Sequence, residues 1–112
     1  MRRQKSYSAQ SGYVYQYFYE GQRPFCGGAE FVFDVTGDRK ICPSVSVLVA
    51  DAALEPWERS HGRALTSTER YAIAKMALFQ AFDERPNPAS MQAPIQVRAA
   101  DVEGIMEMLG MD

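Results

Sequence analysis

Cys26, Cys42 and His61 carry the most reactive side chains in this 112-residue chain. Cys26 lies between Phe25 and Gly27 in a Gly- and Pro-rich stretch, with Arg23 three residues before it. A thiolate there could act as a nucleophile if His61 or Arg23 stood close enough to lower its pKa. Nothing in the spacing brings them together, and a small thiol filling space in a turn is the plainer reading. A lone histidine rules out every two-His metal motif, and the cysteines lack C-x-x-C spacing. Zinc would need Cys26, Cys42, His61 and a carboxylate to converge, so no metal and no cofactor is expected. His61 reads better as a helix-end residue facing the negative end of the dipole.

Other chemistry is thinner still. Glu55/Glu58 and Glu103/Glu107 have helical spacing, which fits a solvated helix face as well as a general acid–base pair. The chain lacks both the G-x-x-x-x-G-K-[ST] and the G-x-G-x-x-G phosphate cradles. The most unusual residues are Tyr13, Tyr15, Tyr17 and Tyr19, which alternate along one strand and so share one face. Four rings in a row could stack on bases, and Arg2, Arg3 and Lys5 just before them could track phosphates. Against this, the first twelve residues balance at +3, while the remainder has nine bases and fourteen acids. An acidic body repels a polyanion, so nucleic acid is not the expected partner. Tyrosine on a half-buried face, ring packed and hydroxyl wet, is preferred.

Elements must hold these residues in place. Residues 1–11 read as a flexible basic tail, and 12–112 as one α+β domain. Gly12–Glu20 is the tyrosine strand, Gly21–Gly28 a loop, and Ala29–Thr36 a second strand carrying Phe31, Phe33 and Val35 on one face. Gly37-Asp38 reads as a type II′ hairpin turn. A third strand, Arg39–Ala50, contains Pro43, which implies an edge or a bulge near Cys42. Glu55–Gly62 looks like a short helix with Pro56 in its first turn. Thr66-Ser-Thr-Glu69 has capping-box spacing and opens a long helix to Arg85, apolar on most of its circumference. Pro94–Arg98 is a short strand. Asp101 then caps a helix whose Val102, Ile105, Met106 and Leu109 form a stripe.

The expected fold is an antiparallel sheet of three to four strands in β-β-β-α-α-β-α order, with helices packed on one face. Apolar residues make up 46% of the chain, and aromatics 12%, enough for a real core. No apolar run reaches the eighteen or so residues that span a bilayer, and the basic start lacks an apolar h-region. A cytoplasmic protein with reduced thiols and no membrane partner is expected. The long helix and the tyrosine strand both offer more apolar surface than one layer pair need cover. This points to a non-catalytic interaction or structural module that pairs with itself, a homodimer, with another protein as a further possible partner. The expected contact residues are Tyr13, Tyr15, Tyr17, Tyr19, Ile73, Met76 and Phe79. A single-stranded nucleic-acid binder, and a small thiol-dependent enzyme or ligand-binding domain, are the alternatives.

Overall fold

The computed structural model describes residues 3–110. Its elements in chain order are β1 (Lys5–Ser8), β2 (Val14–Phe25), β3 (Gly28–Gly37), β4 (Lys40–Ala50), α1 (Asp51–His61), α2 (Ser67–Glu84), a 3-10 turn (Pro88–Gln92), β5 (Ile95–Val97) and α3 (Ala99–Leu109). The strands form one sheet in the order β1-β2-β3-β4-β5. The α+β class and the packing of helices against a sheet agree with the sequence reading. The sheet is larger, with five strands, and its last pair, β4 with β5, is parallel.

Two strand assignments are corrected. Lys5–Ser8, expected in a flexible tail, pairs antiparallel with Val14–Tyr17. Only Tyr7 in this polar segment signals burial, and its anchor is far away in sequence: the Tyr7 hydroxyl donates to Asp83 Oδ2 at 2.8 Å. Arg2 lies outside the described residues. Gly21–Phe25, expected as loop, continues β2 past an extra residue at Glu20, where the register against β3 shifts by one. Gly21, at φ 144°, lets the chain make that bulge.

The hairpin between β3 and β4 is also shifted by one residue. Gly37 pairs with Lys40, so Asp38 and Arg39 form the turn, both at positive φ, which is type I′ rather than II′. Gly37 is needed for a different reason. A Cβ there would stand 2.8 Å from the Tyr15 ring, its cross-strand neighbour. The expected bulge near Cys42 is present: Pro43 and Ser44 oppose Asp34 alone, and the Ser44 N–H donates to Asp34 Oδ1 at 2.9 Å.

α2 follows its local signal closely. In α2, Glu69 N–H donates to Thr66 Oγ1 at 3.1 Å and Thr66 N–H donates to Glu69 Oε1 at 2.9 Å, closing the capping box. α1 starts four residues earlier than expected, at Asp51, directly after β4. Pro56 therefore sits inside it, which frees the carbonyl of exposed Ala52 toward solvent. Arg98, not Asp101, is the N-cap of α3; Asp101 instead accepts the Arg98 N–H at 2.9 Å.

α2 touches both ends of the sheet. Its Phe79 stacks on Tyr7 of β1 at 4.4 Å, while its Ala77 and Ala81 share a groove with β5. A five-stranded sheet can reach one helix from both edges only by curling around it. The core fills that trough: Tyr15, Tyr17, Phe31, Phe33, Val45 and Val47 from the sheet meet Ile73, Leu78 and Phe82 from α2. Trp57 of α1 and Ile105 and Met106 of α3 close the far side.

Candidate functional site

The tyrosine strand is core. Tyr15 is 0% exposed and stacks on Phe82 with centroids 4.2 Å apart; Tyr17 is buried edge-on against Phe79. Tyr19 and Tyr13 are half-buried, Tyr19 packing on Tyr71 and Phe33. Burial raises the pKa of Tyr15, Tyr17 and Tyr19 above the ordinary phenol value, since a phenolate would lose its hydration there. The alternating rings pack on α2, as expected of tyrosines on a half-buried sheet face rather than of a stacking platform. The same holds for the long helix. Ile73 is fully buried within the chain, and Phe79 is covered by Tyr7 and Tyr17. Met76 stays half-buried against the core. Much of the apolar surface read from these residues is therefore covered within the chain, that of Phe79 in part by Tyr7 of β1.

The thiol and imidazole do not meet. Gly27, beside Cys26, accepts the Asp51 N–H at 2.7 Å, so Cys26 is next to the start of α1. His61 is the last residue of that helix, about 15 Å away along its axis. There its Nδ1 lies 2.9 Å from Trp57 O and its ring stacks on the Trp57 indole at 4.0 Å. Arg63 lies over the same indole at 4.9 Å. His61 is thus a helix-end residue, and Cys26 is an exposed thiol in a hairpin tip. Cys42 is buried with its thiol directed at Pro88 O, 3.4 Å away, and burial raises its pKa. Pairing Gly28 with Ala50 and Val35 with Cys42 puts the two cysteines at opposite ends of β3, roughly 20 Å apart. A disulfide needs Cα atoms within about 7 Å. Among the described residues, no three His, Cys, Asp or Glu side chains gather as a metal site.

Two other regions remain available for recognition. One is the outer face of the sheet, which carries no helix. Val32 and Leu48 are half-buried there, and Val14 and Ile41 are 55% and 67% exposed. Its central acids are already engaged. Glu30 accepts from Arg23 Nε and from Ser46 Oγ, each at 2.5 Å, which holds its carboxyl below the usual range. Asp34 accepts the Ser44 N–H.

The other region is a groove of about 220 Å³ where α2, β5 and the start of α3 meet. Ala77, Ala81, Ile95 and Val97 form its apolar floor, and Gln80 and Gln96 its rim. Arg85, at one end, donates to the carbonyls of Ser90, Ala93 and Pro94 at 2.8, 2.7 and 3.1 Å. Arg98, at the other, pairs with Asp101 at 3.2 Å. The sequence signal for the groove is faint: Ala77 and Ala81, two of the four alanines of α2, stand one turn apart. The signal for the outer face is the alternation itself, which sets Val14 and Val32 opposite the inward rings of their strands.

Comparison with protein-family models, with curated proteins and with solved structures finds no match. No helix among the described residues is long and apolar enough to cross a membrane.

Proposed function

We propose that the chain is a non-catalytic interaction module that works as a homo-oligomer, with copies meeting through the outer face of the sheet. The observation that carries this reading is the one-sidedness of the fold. Three helices and the tyrosines fill one sheet face, while the other presents Val14, Val32, Ile41 and Leu48 among hydrogen-bonded polar residues. Strands of 10 to 12 residues, widened by two short edge strands, give this face an area of about 600 Å². A two-fold pair would then bury about 1,200 Å², the lower end for stable interfaces. Two sheets pack this way in sandwiches, face to face about 10 Å apart.

Two of the alternatives have less support. A stacking platform for bases needs accessible rings, and Tyr15 and Tyr17 are buried. A thiol enzyme needs a partner for Cys26, and His61 is at the far end of α1. A reducing, cytoplasmic setting fits two free cysteines too far apart to bridge.

Light scattering tests the reading. A mass of two chains is expected at high micromolar concentration, returning to one chain in Val32→Lys with the melting temperature nearly unchanged. A single-chain mass for the unaltered protein at that concentration overturns it.

A further inference from the structure

We infer that Lys5 and Lys75 together form a seat for a phosphate dianion, free or carried as a monoester on a small molecule. The two residues meet where β1 lies against α2. Along β1, Lys5 and Tyr7 share one face. Along α2, Lys75, Phe79 and Asp83 follow one another at single-turn spacing. Two strand residues advance about 7 Å and one helical turn about 5 Å, so the two rows stay nearly in step. Tyr7 donates to Asp83 at 2.8 Å and stacks on Phe79 at 4.4 Å. Lys5 and Lys75 come next. The Lys75 Nζ is held over the Phe79 ring at 5.8 Å, and Lys5 pairs across the ladder with Tyr17, which meets the same ring edge-on.

The seam therefore ends on two like charges. Among the described residues no carboxylate forms an ion pair with either ammonium group. Asp83, the acid on this row of α2, is two turns away and already accepts from Tyr7 and from the Gln10 N–H. Partial burial, and then the charge of Lys5, lower the Lys75 pKa from the ordinary lysine value, so the contact works against the folded chain. Nine of the twelve bases are arginine, yet two of the three lysines face each other across this seam. Folds break a local rule of this kind chiefly at functional sites. Charge selects the occupant. A phosphate monoester carries about −1.5 to −2 near neutral pH with three strong acceptor oxygens, which matches two ammonium groups. A carboxylate brings one charge, and so does each diester of a nucleic-acid backbone. Lys5 is exposed, so the anion reaches the seat from solvent. The inference goes beyond the outer-face pairing and uses other residues.

The test is an NMR titration of the full chain with carbon-13 label in its three lysines, at an ionic strength held constant with sodium chloride. The probes are inorganic phosphate, glycerol phosphate and dimethyl phosphate, the last a singly charged diester. With either dianion, the Lys5 and Lys75 Cε signals should move together and saturate, while exposed Lys40 stays fixed. Dimethyl phosphate should bind at least about tenfold more weakly. Tighter binding of glycerol phosphate supports an ester as the source, and equal binding supports the free ion. Lys75→Met keeps the packed stem without the charge and should weaken phosphate binding at least about tenfold. Lys5→Gln, at an exposed strand position, should do the same and serves if Lys75→Met fails to fold. Movement of Lys40 alongside the pair, a response that does not saturate, or unchanged phosphate affinity in Lys5→Gln overturns the inference.

Discussion

The two faces of the sheet are built from the same alternating strands and end in opposite states. Facing α2, Tyr15, Tyr17, Phe31, Phe33, Val35 and Val47 are all at most 4% exposed. One residue along in each strand, Gln16, Val32, Asp34, Thr36, Ser46 and Leu48 keep contact with solvent. Valine occurs on both faces, so apolar character alone does not separate them. The rings are concentrated on the inner face. α2 rides above the sheet and needs long, flat side chains to close the gap, and Tyr15 on Phe82, Tyr17 on Phe79 and Tyr19 on Tyr71 supply them. The outer face instead ties its acids down with Arg23, Ser44 and Ser46.

The largest break in that comparison comes from removing a ring. Tyr15 is fully buried, and Tyr15→Ala leaves a cavity against Phe82 that the curled sheet cannot close. A loss of about 3–5 kcal/mol is expected, measured by urea denaturation. Tyr15→Phe should cost far less, or stabilise, because the Tyr15 hydroxyl is buried and finds no hydrogen-bond partner among the described residues. A loss under about 1 kcal/mol for Tyr15→Ala would mean that the tyrosine face is not the core.

Gly37→Ala probes the same contact from the other strand. Its new Cβ meets the Tyr15 ring at 2.8 Å and Pro88 Cγ at 3.2 Å, so the ring or the 3-10 turn must shift. Overpacking of this kind typically costs about 1–3 kcal/mol. Pairing it with Tyr15→Ala should relieve part of that cost, and strict additivity of the two changes would show that they do not share the contact.

The sequence carried the local half of this architecture and little of the long-range half. Alternation in Tyr13–Tyr19 and Phe31–Val35 assigned strands and faces, and Thr66-x-x-Glu69 set the start of α2 within a residue. What alternation cannot supply is which face meets which helix. Tyr7 reads as one aromatic in a polar tail until Asp83, 76 residues on, is placed beside it. Without β1 one side of Phe79 has no cover, and the sequence reading supplies a partner in its place. Gly37 shows the same limit: it reads as a turn residue, yet its role is set by a ring on the neighbouring strand. Of the site residues, Cys26 and His61, named together as a possible thiol site, lie at opposite ends of α1, a separation that only the fold supplies. The β5 edge was legible as a strand but not as an edge, because strand order is a tertiary fact.

A smaller effect lies away from both faces, at the cap of α2. Thr66→Ala removes one of its two reciprocal bonds and should cost about 1 kcal/mol. Glu69 adds a pH dependence of known sign. Hydrogen bonds from Arg63, then from the Thr66 backbone, hold its carboxyl down at about 2, below the ordinary value of about 4.3. A depressed carboxylate pKa gives stability that is present above the unfolded value and lost as pH falls toward the folded one. Stability should therefore decline between about pH 4 and 2, and Glu69→Gln should flatten that limb. An unchanged acid limb in Glu69→Gln would remove Glu69 from the account.

The smallest expected effect is the sharpest test of the two faces, because the same exchange is made on each. Valine and threonine have nearly the same shape, and both suit strands, so Val→Thr changes little except for adding a hydroxyl. At Val47, which is 0% exposed beneath α2, the hydroxyl is buried among apolar side chains, and about 1–3 kcal/mol should be lost. At Val32, cross-strand from Ser46 on the outer face, the hydroxyl reaches water, and the change should stay within about 0.5 kcal/mol. Urea midpoints measured at low micromolar concentration, where any association is weakest, compare the two directly. If copies pair through the outer face, the gap between the variants should narrow as concentration rises, since Val32→Thr then also places a hydroxyl in an interface. Equal losses at the two positions under dilute conditions would mean that the outer face is covered within the single chain.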